Sequence, residues 1–211
     1  MRTKQQILSQ ILREKVVAIV RVGTSEAVEP TVEALHAGGI SAIEVTMGTP
    51  GALCHIERYA DHASVLIGVG SVIDAETARA AIAAGAKFLV TPVSKASVIE
   101  TALRYQVPVF SGAFTPGEIL QAVEWGADVV KVFPADTLGI EYFKAILAPM
   151  PHLPVMPTGG VTLDNARDWL AAGACALGVG SALTNKKSIA EGNYEQITQN
   201  ARQLLKNITE K

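Results

Sequence analysis

The stretch VPVFSGAFTPGEILQAVEWGADVVKVFPA, residues 107–135, reads as one complete strand–helix–strand unit. Its ends, VPVFSGA and VVKVFPA, are β-rich runs of strand length. Between them, PGEILQAVEWG is helix-periodic and carries the signals of both helix ends. Thr115 offers a capping hydroxyl just before Pro116, whose fixed φ suits a first helical turn, and Glu118 completes a capping box. Gly126, in a Gly-Ala pair before the next strand, tolerates the left-handed conformation that ends a helix.

The same unit recurs in both directions along the chain. VVAIVRV, AIEVTM, VLIGVGSV, FLVTPV, PVMPTGG and ALGVGSAL bring the runs to eight, spaced roughly every 20–28 residues with helical segments between them. Thr49 before Pro50, Asp74, Ser94 and Asp164 are the further expected caps. Gly38-Gly39, Gly85 and Gly173 are the further helix ends. Pro30 falls in or near the first turn of its helix. From about Asn193 onward, Tyr194, Ile197, Ala201, Leu204 and Ile208 recur at helical spacing and predict the eighth helix. With no linker or low-complexity stretch, a single domain over residues 1–211 is expected. Eight units in so modest a chain favour a closed (β/α)₈ (TIM) barrel, with an extra N-terminal helix, over an open doubly wound sheet.

Composition narrows the function classes. About half of the 211 residues are apolar, enough for a substantial core, and the formal charge of -2 gives no electrostatic case for nucleic acid or an anionic membrane. Aromatics at 5% are too few for a base-stacking surface. Cys54 and Cys175 are too few for a disulfide framework and suit a reducing compartment. The charged opening MRTKQQILSQILREK lacks the apolar core of a signal peptide, and no apolar run reaches bilayer-spanning length. A cytoplasmic globular protein is the expectation.

Barrel enzymes keep their chemistry on inward side chains at the C-terminal ends of strands. Alternation in VVKVFPA turns Val130 and Val132 toward the helices, and Val129, Lys131 and Phe133 toward the axis. The same reading turns Glu44, Thr46, Ile19 and Arg21 inward. A lysine between buried valines resists being charged, because the ammonium loses its hydration, and a neutral amine can attack a ketone to form an imine. The alternative is a structural ion pair of Lys131 with Glu44. Glu44 is read as either that counter-ion or a general acid/base. Arg21 either grips a carboxylate or phosphate, or neutralises Glu44.

Thr158-Gly159-Gly160 and Gly178-Val179-Gly180-Ser181 end the seventh and eighth runs, where barrels hold phosphate on backbone N–H groups. The same GVGS string at Gly68–Ser71 shows that the tetrapeptide alone says little. His36, His55, His62 and His152 fall on expected helices or loops, so no zinc-ligand cluster and no metal or other cofactor is expected.

Over nearly its whole length the chain resembles the 2-dehydro-3-deoxy-phosphogluconate (KDPG) and 4-hydroxy-2-oxoglutarate (KHG) aldolase family. The resemblance rests on Ala18–Arg21, Glu44-Val45-Thr46, Gly68–Ser71, Thr91-Pro92, KVFPA at Lys131–Ala135, PTGG at Pro157–Gly160, and Gly178–Ser181, all in family order. It implies a (β/α)₈ barrel, generally a homotrimer, cleaving a phosphorylated 2-keto-3-deoxy sugar acid to pyruvate and glyceraldehyde 3-phosphate. By position it makes Lys131 the Schiff-base lysine and Glu44 the general acid/base. It assigns Arg21, Ser71, Thr91, Pro92 and Phe133 to the pyruvyl end, and Thr158, Gly159, Gly160, Gly180 and Ser181 to the phosphate end. Two positions depart from one branch of the family: Gly48 stands where an arginine contacts the pyruvate carboxylate, and Ser71 where a threonine does. A serine hydroxyl still donates a hydrogen bond, whereas the lost arginine shifts work to Arg21. The same chemistry on a 6-phosphogalactonate analogue or on 4-hydroxy-2-oxoglutarate, a phosphosugar isomerase or epimerase, and a non-catalytic phosphometabolite-binding barrel are the competing readings.

Overall fold

The computed structural model describes residues 2–209; Met1 and residues 210–211, the ends of the domain expected over 1–211, lie outside the described residues. In chain order the elements are α1 (Lys4–Glu14), β1 (Val16–Val20), α2 (Val28–Ala37), β2 (Ala42–Thr46), α3 (Ala52–Tyr59), β3 (Leu66–Gly70), α4 (Ala75–Ala83), β4 (Leu89–Val90) and α5 (Ala96–Arg104). There follow β5 (Val109–Ala113), α6 (Pro116–Glu124), β6 (Val129–Val132), α7 (Ala135–Leu147), β7 (Val155–Pro157), α8 (Ala166–Ala171), β8 (Leu177–Val179), α9 (Lys186–Ala190) and α10 (Tyr194–Thr209). The strands pair in parallel in the order β7-β6-β5-β4-β3-β2-β1-β8. A bridge between Thr158 and Gly178, and a 2.9 Å bond from Cys175 N–H to the Val155 carbonyl, join β7 to β8 and close a single-domain (β/α)₈ barrel.

Alternation along the strands builds two cores. Outward residues such as Ile43, Val45, Val130 and Val132 pack with the helices, while Val17, Ala42, Leu66, Phe88, Phe110, Val129 and Met156 form a separate column inside the barrel. Phe88 and Phe110 meet edge to face there, with ring centroids 5.7 Å apart. The extra N-terminal helix α1 adds Ile7 and Ile11 to that column, closing the N-terminal end. It is held by a Thr3–Gln6 capping box and by a 2.8 Å ion pair from Lys4 to Asp128. The apolar column thus fills one end of the barrel, and the polar inward residues Glu44, Thr46 and Lys131 lie further along the same strand faces.

The cap readings divide. Thr115 and Glu118 form the capping box of α6, and Asp74 caps α4 through Thr77 N–H. Thr49 does not cap α3: its hydroxyl lies 3.2 Å from that of Thr46, and the helix starts later, after Gly51 at φ 70°. Ser94 does not cap α5, because its hydroxyl donates to the Gly112 carbonyl and ties the loop after β4 to β5. Asp164 does not cap α8: Thr162 accepts from Asn165 N–H and Asn165 Oδ1 accepts from Thr162 N–H in a reciprocal exchange just before the helix. Gly39, Gly85, Gly126 and Gly173 all take positive φ at helix ends. Pro30 is the third residue of α2, where its missing N–H leaves no intrahelical bond unmade.

Candidate active site

Lys131 sits inside β6 with only 5% of its surface exposed, and Glu44 inside β2 with 1%. Burial, opposed by Glu44 and assisted by Arg21, holds the Lys131 ammonium below its ordinary range. Burial likewise raises the Glu44 carboxyl, against the pull of Lys131 and Arg21. The structural ion pair is not formed: among the described residues the ion pairs within 4.0 Å are Lys4–Asp128, Arg58–Glu29, Lys144–Glu141 and Lys187–Glu191. Glu44 Oε2 is buried with no hydrogen-bond partner. Lys131 Nζ instead faces the Phe133 ring, 4.9 Å from its centroid. Two groups that both resist charging, close enough to feel each other, are what amine attack with proton transfer requires.

Glycine makes the space for this pair. A Cβ at Gly70 would stand 1.7 Å from Glu44 Oε1, and one at Gly68 would stand 2.4 Å from the Phe88 ring. A Cβ at Gly178 would meet the Thr158 hydroxyl at 2.1 Å. The two GVGS strings therefore do one job: inward glycines on β3 and β8 leave room for a neighbouring strand's side chain. Ser71, next after Gly70, has φ 61°, a left-handed conformation that a non-glycine residue adopts at a cost and that concentrates at functional sites.

A cavity of about 280 Å³ gathers Arg21, Phe133, Thr158, Gly159, Gly160, Gly180 and Ser181. Gly159 and Gly160 take φ 95° and 69°, a turn that side chains do not readily allow. The Thr158 hydroxyl is buried without a partner. Pro92 lines a neighbouring cavity of about 390 Å³ together with Phe133, which borders both. Thr91 is buried, and its hydroxyl is engaged with backbone: it donates to the Val93 carbonyl at 2.7 Å and accepts from Gly112 N–H at 2.9 Å. Gly48 is exposed, with open space where a side chain would be.

Sequence reasoning did not single out Thr184 or Lys186, which also line the first cavity. The Thr184 hydroxyl lies 3.0 Å from the Ile19 carbonyl and 3.1 Å from that of Gly180, fixing β8's exit against β1. The signal for Lys186 was a cation at the start of the short helix after the eighth strand, a region where barrels hold phosphate. Among the described residues no group of three or more His, Cys, Asp or Glu is placed to hold a metal ion, and no helix is long and apolar enough to cross a membrane.

Residues 7–200 match the family model described as KDPG and KHG aldolase. The chain is 35% identical over 201 residues to the 2-dehydro-3-deoxy-phosphogluconate aldolase of Treponema pallidum, covering 94% of this chain and 96% of that one. It is 32% identical over 185 residues to the 2-dehydro-3-deoxy-6-phosphogalactonate aldolase of Escherichia coli K12, covering 85% and 89%. Among solved structures, the KDPG aldolase of Legionella pneumophila, with pyruvate captured as a covalent carbinolamine, superposes with a TM-score of 0.85 at 27% identity, covering 95% and 97%. Family model, curated relatives and fold agree, and the chain belongs to the KDPG and KHG aldolase family of carbon–carbon lyases.

Proposed function

We propose that the protein is a class I aldolase cleaving 2-dehydro-3-deoxy-6-phosphogluconate to pyruvate and D-glyceraldehyde 3-phosphate, with Lys131 forming the Schiff base. The observation that carries this reading is a buried amine, held toward its neutral form, sharing the barrel interior with a carboxylate whose Oε2 has no partner.

The amine of Lys131 attacks the ketone carbon, and Glu44 passes protons as the carbinolamine loses water. The resulting iminium draws electrons from the bond between its α carbon and the hydroxyl-bearing β carbon. Glu44 takes the proton of the hydroxyl on the aldehyde-forming carbon, that bond breaks, and its electron pair moves into an enamine. Protonation of the enamine carbon and attack of water on the iminium release pyruvate and restore the amine. Arg21, Ser71, Thr91, Pro92 and Phe133 shape the pyruvyl end, with Arg21 covering for the arginine absent at Gly48. The Gly159–Gly160 turn, Thr158, Gly180 and Ser181 hold the phosphate. The reading places the enzyme in the cytoplasm as a homotrimer. Ile73, Val93, Phe114, Leu120 and Trp125, all on or near the exits of β3–β5 and α6, give it an exposed apolar surface to bury.

Pyruvate release from 2-dehydro-3-deoxy-6-phosphogluconate, its 6-phosphogalactonate analogue and 4-hydroxy-2-oxoglutarate, compared by kcat/KM, tests the substrate assignment. The phosphogluconate is expected to lead. A lead for either alternative reassigns the substrate, and interconversion of phosphosugars without pyruvate overturns the lyase mechanism.

A further inference from the structure

We infer that Lys186 is a specificity-determining residue: the cation that selects the phosphorylated end of the substrate, while Arg21 in the same cavity serves the pyruvyl end; this rests on the aldolase reading of the cavity above. The cavity that holds the Gly159–Gly160 turn and Ser181 is lined by two cations, Arg21 and Lys186, and by no carboxylate. Neither cation has a carboxylate within 4.0 Å among the described residues, whereas the adjacent Lys187 lies 3.9 Å from Glu191 on the outer side of α9. Asp136 packs against the outside of the Gly159–Gly160 turn without lining the cavity, and its Oδ1 accepts from Thr137 N–H. Arg21 and Lys186 also line an adjoining hollow of about 710 Å³, whose carboxylate is Glu26.

An independent sign that the cavity takes a polar ligand is Thr158, a lining residue only 5% exposed, whose buried hydroxyl has no partner. A buried hydroxyl left unmatched is costly unless something occupies the site when it works. An oxygen-rich dianion satisfies all parts at once: the hydroxyl and the turn's N–H groups supply directional bonds, and Lys186 supplies the charge. Lysine suits such a rim position because its flexible stem lets a point charge follow the phosphate.

The test compares wild type, Lys186→Gln and, as a control for net charge, Lys187→Gln. On 2-dehydro-3-deoxy-6-phosphogluconate, Lys186→Gln is expected to lower kcat/KM about tenfold, the loss of one charge-assisted bond, and on 4-hydroxy-2-oxoglutarate to leave it within about twofold. Calorimetric titration with inorganic phosphate should weaken about tenfold in Lys186→Gln and be unchanged in Lys187→Gln. Equal losses on both substrates, no loss on either, or unchanged phosphate binding overturns the inference. The phosphate titration needs no turnover, so failure of the aldolase reading, seen as a wild type that releases no pyruvate, is separately recognised.

Discussion

Lys131 and Glu44 are displaced from their ordinary pKa values in opposite directions by burial, and that has consequences at single positions. The amine must be neutral to attack and the carboxylate ionised to accept a proton. kcat/KM should therefore climb with pH through a carboxyl ionisation above 4.5 and level off below 10.5, the ordinary lysine value. A rise that continues to 10.5 or beyond contradicts the buried amine. Glu44→Gln keeps the shape and removes the proton acceptor, so turnover should fall by about 10²–10⁴. The same variant should be more stable than wild type. Below the unfolded carboxyl's pKa both states hold the proton; as pH rises past 4.5 the unfolded chain ionises first and the folded state loses ground. The Tm gain of Glu44→Gln should thus grow as pH rises above 4.5, and a gain independent of pH would contradict this role of the charge. Gly70→Ala is expected to abolish most activity while Gly23→Ala, with open space around it, does not, because only the former displaces the carboxylate.

At the scale of elements, α1 and α6 make separable predictions. Thr115→Ala removes the α6 capping box and should cost about 1 kcal/mol by urea unfolding. Ile11→Ala opens a cavity in the barrel column and should cost about 2–5 kcal/mol; a loss below that range would mean α1 does not close the barrel. The alternating helices and strands were legible because their periods and end signals agree, as they do around Thr115 and Gly126. Thr49, Ser94 and Asp164 show the limit. Each is chemically fit to cap, but Thr46, Gly112 and the Thr162–Asn165 exchange compete for those places, and only tertiary structure brings the competitors near. The inward positions of Lys131 and Glu44 were also legible, since a strand's alternation fixes which face a side chain takes. Whether they pair as ions was not, because that depends on distance across the barrel. The five-residue helix α9 is too short to show a period, and Lys186 went unremarked with it.

For the whole molecule, the apolar surface at the exits of β3–β5 and α6 belongs to the proposed trimer. Light scattering after size exclusion should give about three times the 22.2 kDa chain mass, and Trp125→Glu should lower it toward one. A monomer in the wild type would remove the trimer without touching the chemistry. The imine on Lys131 is tested by reduction with borohydride in the presence of pyruvate, followed by intact-mass and peptide mass spectrometry. One reduced pyruvyl group per chain is expected, located on Lys131 and absent from Lys131→Arg. A folded protein that gains no adduct, or gains it on another lysine, contradicts the imine on Lys131.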